Sequence, residues 1–197
     1  MRILSVVVLA ATLVSSAWAA ADELDKLRDK QDRAGLDAHA AALQTAAEKR
    51  PDDANGWYRA AIAYSYVAEV AMEVRDKVGA EKAAETGAAD ADKAIALNGK
   101  MADYYRVLGT LCGQVIPANP IMGVLTYGKR AKEALDKAIE MDPKSPKAFV
   151  AHGVGYYYLP DKFGGGPELA IKDFKQAIAL KTGSMSAIAM FYQQPSE

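Results

Sequence analysis

The sequence has little of the chemistry that small enzymes and disulfide-stabilised proteins need. Its 197 residues include one cysteine, Cys112, and two histidines, His39 and His152. A single cysteine excludes an internal disulfide framework and leaves Cys112 as a buried thiol or as one half of an intermolecular bridge. The sequence contains no HExxH motif, no paired CxxC motif and no nucleophile elbow. It therefore predicts no enzyme activity, no metal site and no cofactor.

An excess of charge of one sign is also absent. Lys and Arg total 24, Asp and Glu total 25, and the formal net charge is -1. This balance predicts no general attraction to nucleic acid or to anionic membranes. Beyond residue 19 no apolar run approaches the roughly 20 residues that a membrane helix needs. We therefore expect no stable membrane insertion once the N-terminal segment is removed.

The long apolar run of this sequence lies at its N-terminus. A positively charged start is followed by the apolar residues 3–14. Residues 17–19 have the small-x-small pattern that signal peptidase recognises at a cleavage site. We expect residues 1–19 to be a signal peptide that is cleaved after Ala19, with cleavage after Ala20 or Ala21 as alternatives. The other interpretation is that the segment stays uncleaved and anchors the protein in the membrane. The mature protein is then periplasmic or secreted.

Two short patterns recur along the rest of the chain. The first pattern stands at the end of a stretch with helical periodicity and is followed by residues that break a helix. Its three copies are Ala94-Ile95-Ala96-Leu97, Ala138-Ile139-Glu140-Met141 and Ala177-Ile178-Ala179-Leu180. The second places a small residue four positions after an aromatic one, as in Trp57 and Ala61, Tyr105 and Gly109, and Phe149 and Gly153. Small residues let one helix approach another closely. Because one helix pair cannot bury its apolar face alone, we expect the pairs to stack.

These patterns resemble the tetratricopeptide repeat (TPR) signature from about Leu36 to Thr182. The resemblance implies an all-α, antiparallel helix-pair solenoid. The run from Tyr158 through Phe163 to Ile171 is similar to one found in exported bacterial TPR proteins, a group that includes the TPR component associated with TRAP-type transporters.

The repeats are longer than the 34 residues that are standard for a TPR. We assign residues 20–53 to N-terminal helices, 54–183 to TPR-like repeats and 184–197 to a C-terminal capping helix and tail. The repeats divide at about 54–101, 102–145 and 146–183. The extra residues fall between the two helices of each pair, so we expect enlarged A-to-B loops.

The three insertions predict different local structures. Residues 67–85 are compatible with a helix and predict an unusually long first helix. Residues 116–120 contain two prolines and predict a loop. Residues 160–166 contain three glycines and predict a loop as well, either a plain conformational loop or an anion site at a helix start.

The candidate binding residues come from the concave face that the first helices of TPR pairs form. This resemblance assigns to the groove Tyr58, Tyr66, Arg106, Lys147, Tyr157 and Tyr158. Tyrosine offers a large contact area with a polar tip, although several of these tyrosines could instead pack between repeats. Consecutive helix residues point about 100° apart, so we expect Trp57 to be a packing residue and its neighbour Tyr58 to be exposed.

Other polar residues have structural interpretations. We expect Asp90 and Asp92 to lie on solvated faces and Asp53 to cap a helix. We expect His152, between Ala151 and Gly153, to be packed and hydrogen-bonded.

The sequence thus predicts an exported scaffold that binds a peptide or protein partner in an aromatic-lined groove. The alternative is a ligand-handling accessory of a periplasmic, TRAP-type uptake system that holds a small organic solute. Homo-oligomerisation is left open.

Overall fold

The computed structural model describes residues 23–180, except for the side chains of residues 121, 122 and 162. The predicted signal peptide 1–19 and the predicted C-terminal segment 184–197 lie outside these residues. A short first helix, α1, spans residues 23–29. The helices that follow are α2 (Arg33–Glu48), α3 (Ala54–Glu73), α4 (Lys77–Leu97), α5 (Ala102–Ala118), α6 (Pro120–Gly123), α7 (Lys129–Met141), α8 (Pro146–Tyr158) and α9 (Pro167–Leu180).

The helices form a TPR-like solenoid of antiparallel pairs. Helices α3 and α4 pack on each other, as do α5 and α7, and α8 and α9. Successive pairs are joined by contacts of α2 with α3, α4 with α5, and α7 with α8. Residues 23–180 contain no β-strand, and none of their helices combines the length and apolar character needed to cross a bilayer.

Side chains at the helix starts explain where several helices begin. The Asp53 carboxylate accepts hydrogen bonds from two backbone N–H groups of α3, each at 3.1 Å, so its predicted capping role is confirmed. The Ser145 hydroxyl accepts from the Ala148 N–H at 3.3 Å. Pro146 and Pro167 occupy the first turns of α8 and α9, where a missing N–H costs no helical hydrogen bond.

The small residues of the repeat pattern lie where two helices of a pair touch. A Cβ on Gly109 would lie 2.5 Å from Leu135 Cγ, and a Cβ on Gly153 would lie 2.7 Å from Phe174 Cε1. Ala61 is completely buried in a core cluster with alanines of α4. The close helix contact predicted at these three positions is therefore confirmed.

The first insertion agrees with the prediction only in part, because α3 has 20 residues and is longer than the first helices α5, with 17, and α8, with 13. We expected residues 67–85 to lengthen the first helix, but the extra residues are shared between α3, with 20 residues, and α4, with 21. The turn between them is tight because Arg75 adopts a left-handed conformation with φ 63°. Asp76 then caps α4 by accepting from the Gly79 N–H at 2.9 Å.

The second insertion also differs, because the predicted loop over residues 116–120 is mostly helix. Helix α5 continues through Pro117 to Ala118, and the break is one extended residue, Asn119, with φ -134° and ψ 81°. Pro117 is tolerated because it lies in the last turn, where its missing N–H costs a single hydrogen bond. Pro120 disfavours a helical conformation at Asn119 and begins α6. A π-helical turn over Val124–Gly128 then leads into α7.

The third insertion is a loop with a short 3-10 turn at Asp161–Phe163, as predicted. Gly164 and Gly166 have φ values of 82° and 116°, which favour glycine. The Gly166 N–H donates to the Tyr156 carbonyl at 2.9 Å. A Cβ on Gly166 would lie 2.3 Å from Asp161 Oδ1, so a carboxylate already lies beside this loop. The structure therefore favours the conformational interpretation over an anion site.

Asp90 corrects another expectation, since it lies in the core and not on a solvated face. Its side chain is completely buried. Gln44 Nε2 donates to it at 2.9 Å and Lys93 Nζ at 3.0 Å, so the carboxylate is satisfied. Burial raises the pKa of Asp90, and the bonds from Lys93 and Gln44 oppose that rise. Asp92, by contrast, is partly exposed and pairs with Arg130 of α7.

Candidate functional site

Helices α3, α5 and α8, which are the first helices of the three pairs, contact one another along the solenoid, and α1 contacts α3 through Asp25 and Tyr66. The side that these four helices form is here called the groove face. A pocket of about 210 Å³ opens where α5, the end of α7 and the start of α8 meet. Its lining residues are Ala102, Asp103, Arg106, Ala138, Asp142, Ser145 and Ala148. Of the residues predicted for the groove, Arg106 therefore lines this pocket directly.

Arg106 is held in place by a network that links α3 to α5. Its Nη2 donates to Asp103 Oδ2 at 3.0 Å and its Nε donates to Asp103 Oδ1, which is a bidentate ion pair. The Tyr58 hydroxyl donates to the same carboxylate. The Tyr58 ring stacks on Tyr104 with ring centres 4.8 Å apart. The guanidinium is thus fixed before any ligand arrives.

The pKa values in this network follow from burial and from the neighbouring charges. Burial acts to raise the pKa of Asp103, but hydrogen bonds from Arg106 and its charge outweigh burial and leave the pKa lowered. Burial lowers the pKa of Arg106, yet Asp103 more than compensates and the net shift is upward. Burial, followed by the bond to Asp103, raises the pKa of Tyr58. At neutral pH the pair is therefore fully ionised and Tyr58 keeps its proton.

The expectation that Tyr58 is the exposed neighbour of Trp57 is wrong in part. Trp57 is 5% exposed, and its Nε1–H donates to the Pro51 carbonyl at 3.0 Å. Lys93 Nζ lies 3.8 Å from the centre of its ring. Tyr58, however, is itself half-buried because α5 lies against it. We therefore assign Trp57 to packing and Tyr58 to holding Asp103, not to direct contact with a partner.

Tyr66, another predicted groove residue, is covered by α1. Its hydroxyl donates to Asp25 at 3.0 Å, and the Arg28 guanidinium lies 4.8 Å from its ring centre. Burial, followed by the Asp25 charge, raises the pKa of Tyr66 to about 12. The alternative in which a tyrosine packs between repeats therefore describes Tyr66.

Lys147, Tyr157 and Tyr158 remain accessible on α8. Tyr158 is 72% exposed and Tyr157 is 59% exposed, with their rings edge to face and 5.1 Å between centres. Tyr158 lies eleven positions after Lys147, which is close to three whole turns, so both side chains share one side of α8. Tyr157 is turned about 100° from Tyr158. Lys147 and Tyr158 are therefore the accessible groove-face residues of this side of α8, and Arg106, whose side chain is 17% exposed, is reached through the pocket that it lines.

Asp103 and Ser145 were not selected from the sequence as site residues, although both line the pocket. A signal for Asp103 was available, because an acid three residues before Arg106 on one helix indicates an intrahelical ion pair. The contact between Tyr58 and Asp103 joins residues 45 positions apart and depends on how two repeats pack. No local pattern predicts it.

His152 is packed and hydrogen-bonded, as predicted, but its partners lie on two other helices. Nδ1 lies 2.7 Å from Asp173 Oδ2 of α9 and Nε2 lies 3.0 Å from Asp136 Oδ1 of α7. The Tyr156 ring lies edge-on at 4.4 Å. This bridge joins the last two pairs of the solenoid.

Reactive groups are scarce in the part of the chain that the structure covers. Burial raises the pKa of Cys112 to about 11, and the thiol has no exposed surface. The buried-thiol alternative therefore describes Cys112, since a buried sulfur cannot bond to another chain. Across residues 23–180 no group of three or more His, Cys, Asp or Glu side chains is placed to hold a metal ion.

Comparison with solved structures supports the fold. The chain is similar to the HusA haemophore from Porphyromonas gingivalis, with 19% identity, a TM-score of 0.67 and coverage of 91% of this chain and 95% of that chain. Weaker similarities include MamA from Desulfovibrio magneticus RS-1, with 15% identity, a TM-score of 0.39 and coverage of 84% and 98%. YrrB, described as a TPR protein with an unusual peptide-binding site, has 18% identity, a TM-score of 0.27 and coverage of 78% and 98%. At such identities the likeness to HusA shows a shared fold.

Comparison of sequences assigns the family. A search of the curated proteins gives no match. A family model described as regulator of microtubule dynamics protein 1-3 matches residues 20–159, which is more than half of the chain and spans α1 to α8. The chain therefore belongs to the family described as regulator of microtubule dynamics protein 1-3.

Proposed function

We propose that this protein is an exported scaffold that binds an extended segment of a protein or peptide partner along its groove face. The observation that carries the proposal is the pocket at Arg106, which lies on the face that also presents Lys147 and Tyr158. Aromatic and arginine side chains contribute most to the affinity of protein interfaces. A partner segment that runs along α8 would contact all three residues.

The size of the pocket supports a peptide over a larger organic molecule. Sites for drug-sized ligands usually enclose about 300–1,000 Å³, whereas this pocket has about 210 Å³. That volume suits one amino-acid side chain of a longer segment.

A second candidate is ligand handling for a periplasmic uptake system of the TRAP type, with a small organic solute held on the groove face. Two observations support it. The run from Tyr158 to Ile171 resembles exported bacterial TPR proteins, and the fold is shared with a protein described as a haemophore. Titration of the purified protein with haem, followed by its visible absorbance, provides one solute probe for this candidate.

Export is part of the proposal and has its own test. Residues 1–19 have the features of a cleaved signal peptide. Mass spectrometry of the protein from cell fractions should find an N-terminus near Ala20 in the periplasm or medium. An intact N-terminus in the cytosolic fraction would remove export from the proposal.

The binding proposal is tested with a random 12-residue peptide library displayed on phage and selected on the protein from residue 20 onward. The affinities of selected peptides are then measured by calorimetry. We expect Lys147→Ala and Tyr158→Ala to weaken binding by roughly 1–3 kcal/mol for the better anchor. Lys129→Ala is the matched control, because Lys129 is an exposed lysine of α7, a second helix of its pair. Equal affinities for all four proteins would contradict a groove-face site.

A further inference from the structure

Two Asn-Gly pairs occur in the chain, Asn55-Gly56 and Asn98-Gly99, and the fold holds them in different ways. In such a pair the backbone nitrogen of the glycine can attack the side-chain amide of the asparagine, because glycine has no Cβ to hinder the approach. Both asparagines are exposed to solvent, so accessibility does not distinguish them. The backbone around each pair does.

The first pair is protected by a helix. Asn55 and Gly56 lie in the first turn of α3, and the Asp53 carboxylate accepts hydrogen bonds from both of their N–H groups, each at 3.1 Å. The Gly56 nitrogen can attack only after this bond breaks and the helix start opens. The fold therefore slows the reaction of Asn55.

The second pair lies in the linker between α4 and α5. Asn98 is extended, with φ -149° and ψ 80°, and the Gly99 N–H has no acceptor among the described residues. The Lys100 N–H donates to Asn98 Oδ1 at 3.3 Å, which is an Asx turn. This turn holds the side-chain amide over the Gly99 peptide. The Lys100 N–H also stabilises the negative charge that develops on Oδ1 when the amide carbon is attacked.

The linker between α7 and α8 contains the same turn in an unreactive form. Asp142 is extended, with φ -136° and ψ 83°, and accepts from the Lys144 N–H at 3.1 Å. Its neighbour Pro143 has no N–H to lose, so its nitrogen cannot attack. This linker also demonstrates that the turn accepts an aspartate.

We infer that Asn98 is a site of spontaneous deamidation, and that the α4–α5 linker converts to aspartate and isoaspartate forms. The Gly99 nitrogen loses its proton to solvent base and bonds to Asn98 Cγ. The Cγ–Nδ2 bond breaks, and Nδ2 takes a proton from solvent and leaves as ammonia. Water then opens the cyclic imide at Cγ, which gives aspartate, or at the main-chain carbonyl carbon of residue 98, which gives isoaspartate. The sum is one water consumed and one ammonia released.

The two products affect the linker differently. The aspartate form keeps the length of the main chain and adds a negative charge. The isoaspartate form leads the main chain through Cγ and so adds one methylene before Gly99. The Gly99 carbonyl accepts from the Tyr105 hydroxyl at 3.3 Å, and α5 begins at Ala102. The longer linker therefore disturbs the start of the helix that carries Asp103 and Arg106.

The first experiment compares the two pairs within one protein. The purified protein is incubated in mildly alkaline buffer, both folded and in guanidinium chloride, and trypsin then releases the peptides 50–59 and 94–100. Mass spectrometry follows the conversion of amide to acid in each peptide. In the folded protein we expect peptide 94–100 to convert at least roughly tenfold faster, the factor that corresponds to about 1.4 kcal/mol for opening the helix start. In guanidinium chloride the two rates should converge. Equal rates in the folded protein would overturn the inference.

The second experiment tests the attacking atom. Gly99→Pro copies the unreactive linker and should abolish conversion at Asn98 while leaving the rate at Asn55 unchanged. Conversion that persists at the same rate in Gly99→Pro would overturn attack by the Gly99 nitrogen.

The third experiment tests the effect on the fold. The protease Asp-N cleaves before aspartate but not before isoaspartate, and so measures the share of each product. Asn98→Asp should melt with the unmodified protein, whereas protein aged to the isoaspartate form should melt at a lower temperature. Gly99→Pro aged in the same way controls for other damage and should keep its melting temperature. If the aged protein with isoaspartate melts with fresh protein, the disturbance of α5 is wrong.

Discussion

The α3/α4 pair and the α8/α9 pair carry a tyrosine at the same repeat position, and the two tyrosines have different surroundings. Tyr66 of α3 is covered by α1, bonded to Asp25 and stacked against Arg28. Tyr158 of α8 is 72% exposed and its described ring contact is with the adjacent Tyr157. Repeat position therefore determines which face a side chain occupies, but the neighbouring helix determines whether the residue is available to a partner.

The largest contrast in stability should be between the core of the α3/α4 pair and the exposed side of the α8/α9 pair. Trp57→Ala removes a 5% exposed ring, its bond to Pro51 and its contact with Lys93. We expect a loss of roughly 3–5 kcal/mol in the free energy of unfolding. Tyr158→Ala should change that free energy by no more than about 0.5 kcal/mol. Urea unfolding of both variants measures the difference, and similar losses would end the distinction between covered and open positions.

His152 of the last helix pair bridges Asp173 and Asp136, and His152→Ala removes this bridge. His152→Ala leaves the buried Asp173 without the donor that lies 2.7 Å away. An unsatisfied buried charge costs about 2–3 kcal/mol, so the unfolding midpoint in urea should fall. His39→Ala is the control, because the His39 Nε2 has no partner among the described residues; it should cost less than about 1 kcal/mol. A smaller effect at His152 than at His39 would contradict the bridging role.

Two helical glycines should respond in opposite directions. Gly153→Leu forces a side chain into Phe174, since a Cβ there would already lie 2.7 Å from the ring, and should cost about 1–3 kcal/mol. Gly113→Ala meets no heavy atom within 4 Å and should stabilise the helix by about 0.5–1 kcal/mol. Thermal melts measure both changes, and the melt of Gly153→Leu tests the pairing of α8 with α9. If Gly153→Leu melts with the unmodified protein, the close approach of these helices is wrong.

The smallest expected effect is the pH dependence from Asp103. Its pKa in the fold is lower than in the unfolded chain, because Arg106 outweighs burial. The ionised carboxylate therefore stabilises the fold above about pH 4, and this stabilisation is lost as the pH falls through the lowered pKa. Unfolding curves between pH 6 and pH 2.5 should show a steeper loss for the unmodified protein than for Asp103→Asn. Glu140→Gln, on an exposed site of α7, controls for net charge, and parallel curves for all three would contradict the account.

The sequence predicts the helix pairs well because their determinants are local. The small residues Ala61, Gly109 and Gly153 recur at one repeat position, and each lies at a helix contact. The prolines of the second insertion were less informative. Pro117 continues α5 because it lies in the last turn, so a proline indicates where a helix weakens, not the residue at which it ends.

The site is less predictable because its determinants are long-range. Arg106, Lys147 and Tyr158 were identified from repeat position alone, and they lie on the groove face. Tyr58 and Tyr66 were identified in the same way, but contacts with Asp103 and Asp25, more than 40 residues away in sequence, cover them. The same limit applies to Asp90, whose burial follows from the packing of α2 against α4.

The groove-face account is tested most directly by site-specific photo-crosslinking. A benzoylphenylalanine is placed singly at Tyr158, at Tyr66 and at Lys129, and each protein is irradiated with a selected peptide. The account predicts efficient crosslinking from position 158 and little from position 66, which α1 covers, or from position 129 on α7. Crosslinking from position 129 that equals or exceeds that from position 158 would contradict the groove face as the binding surface.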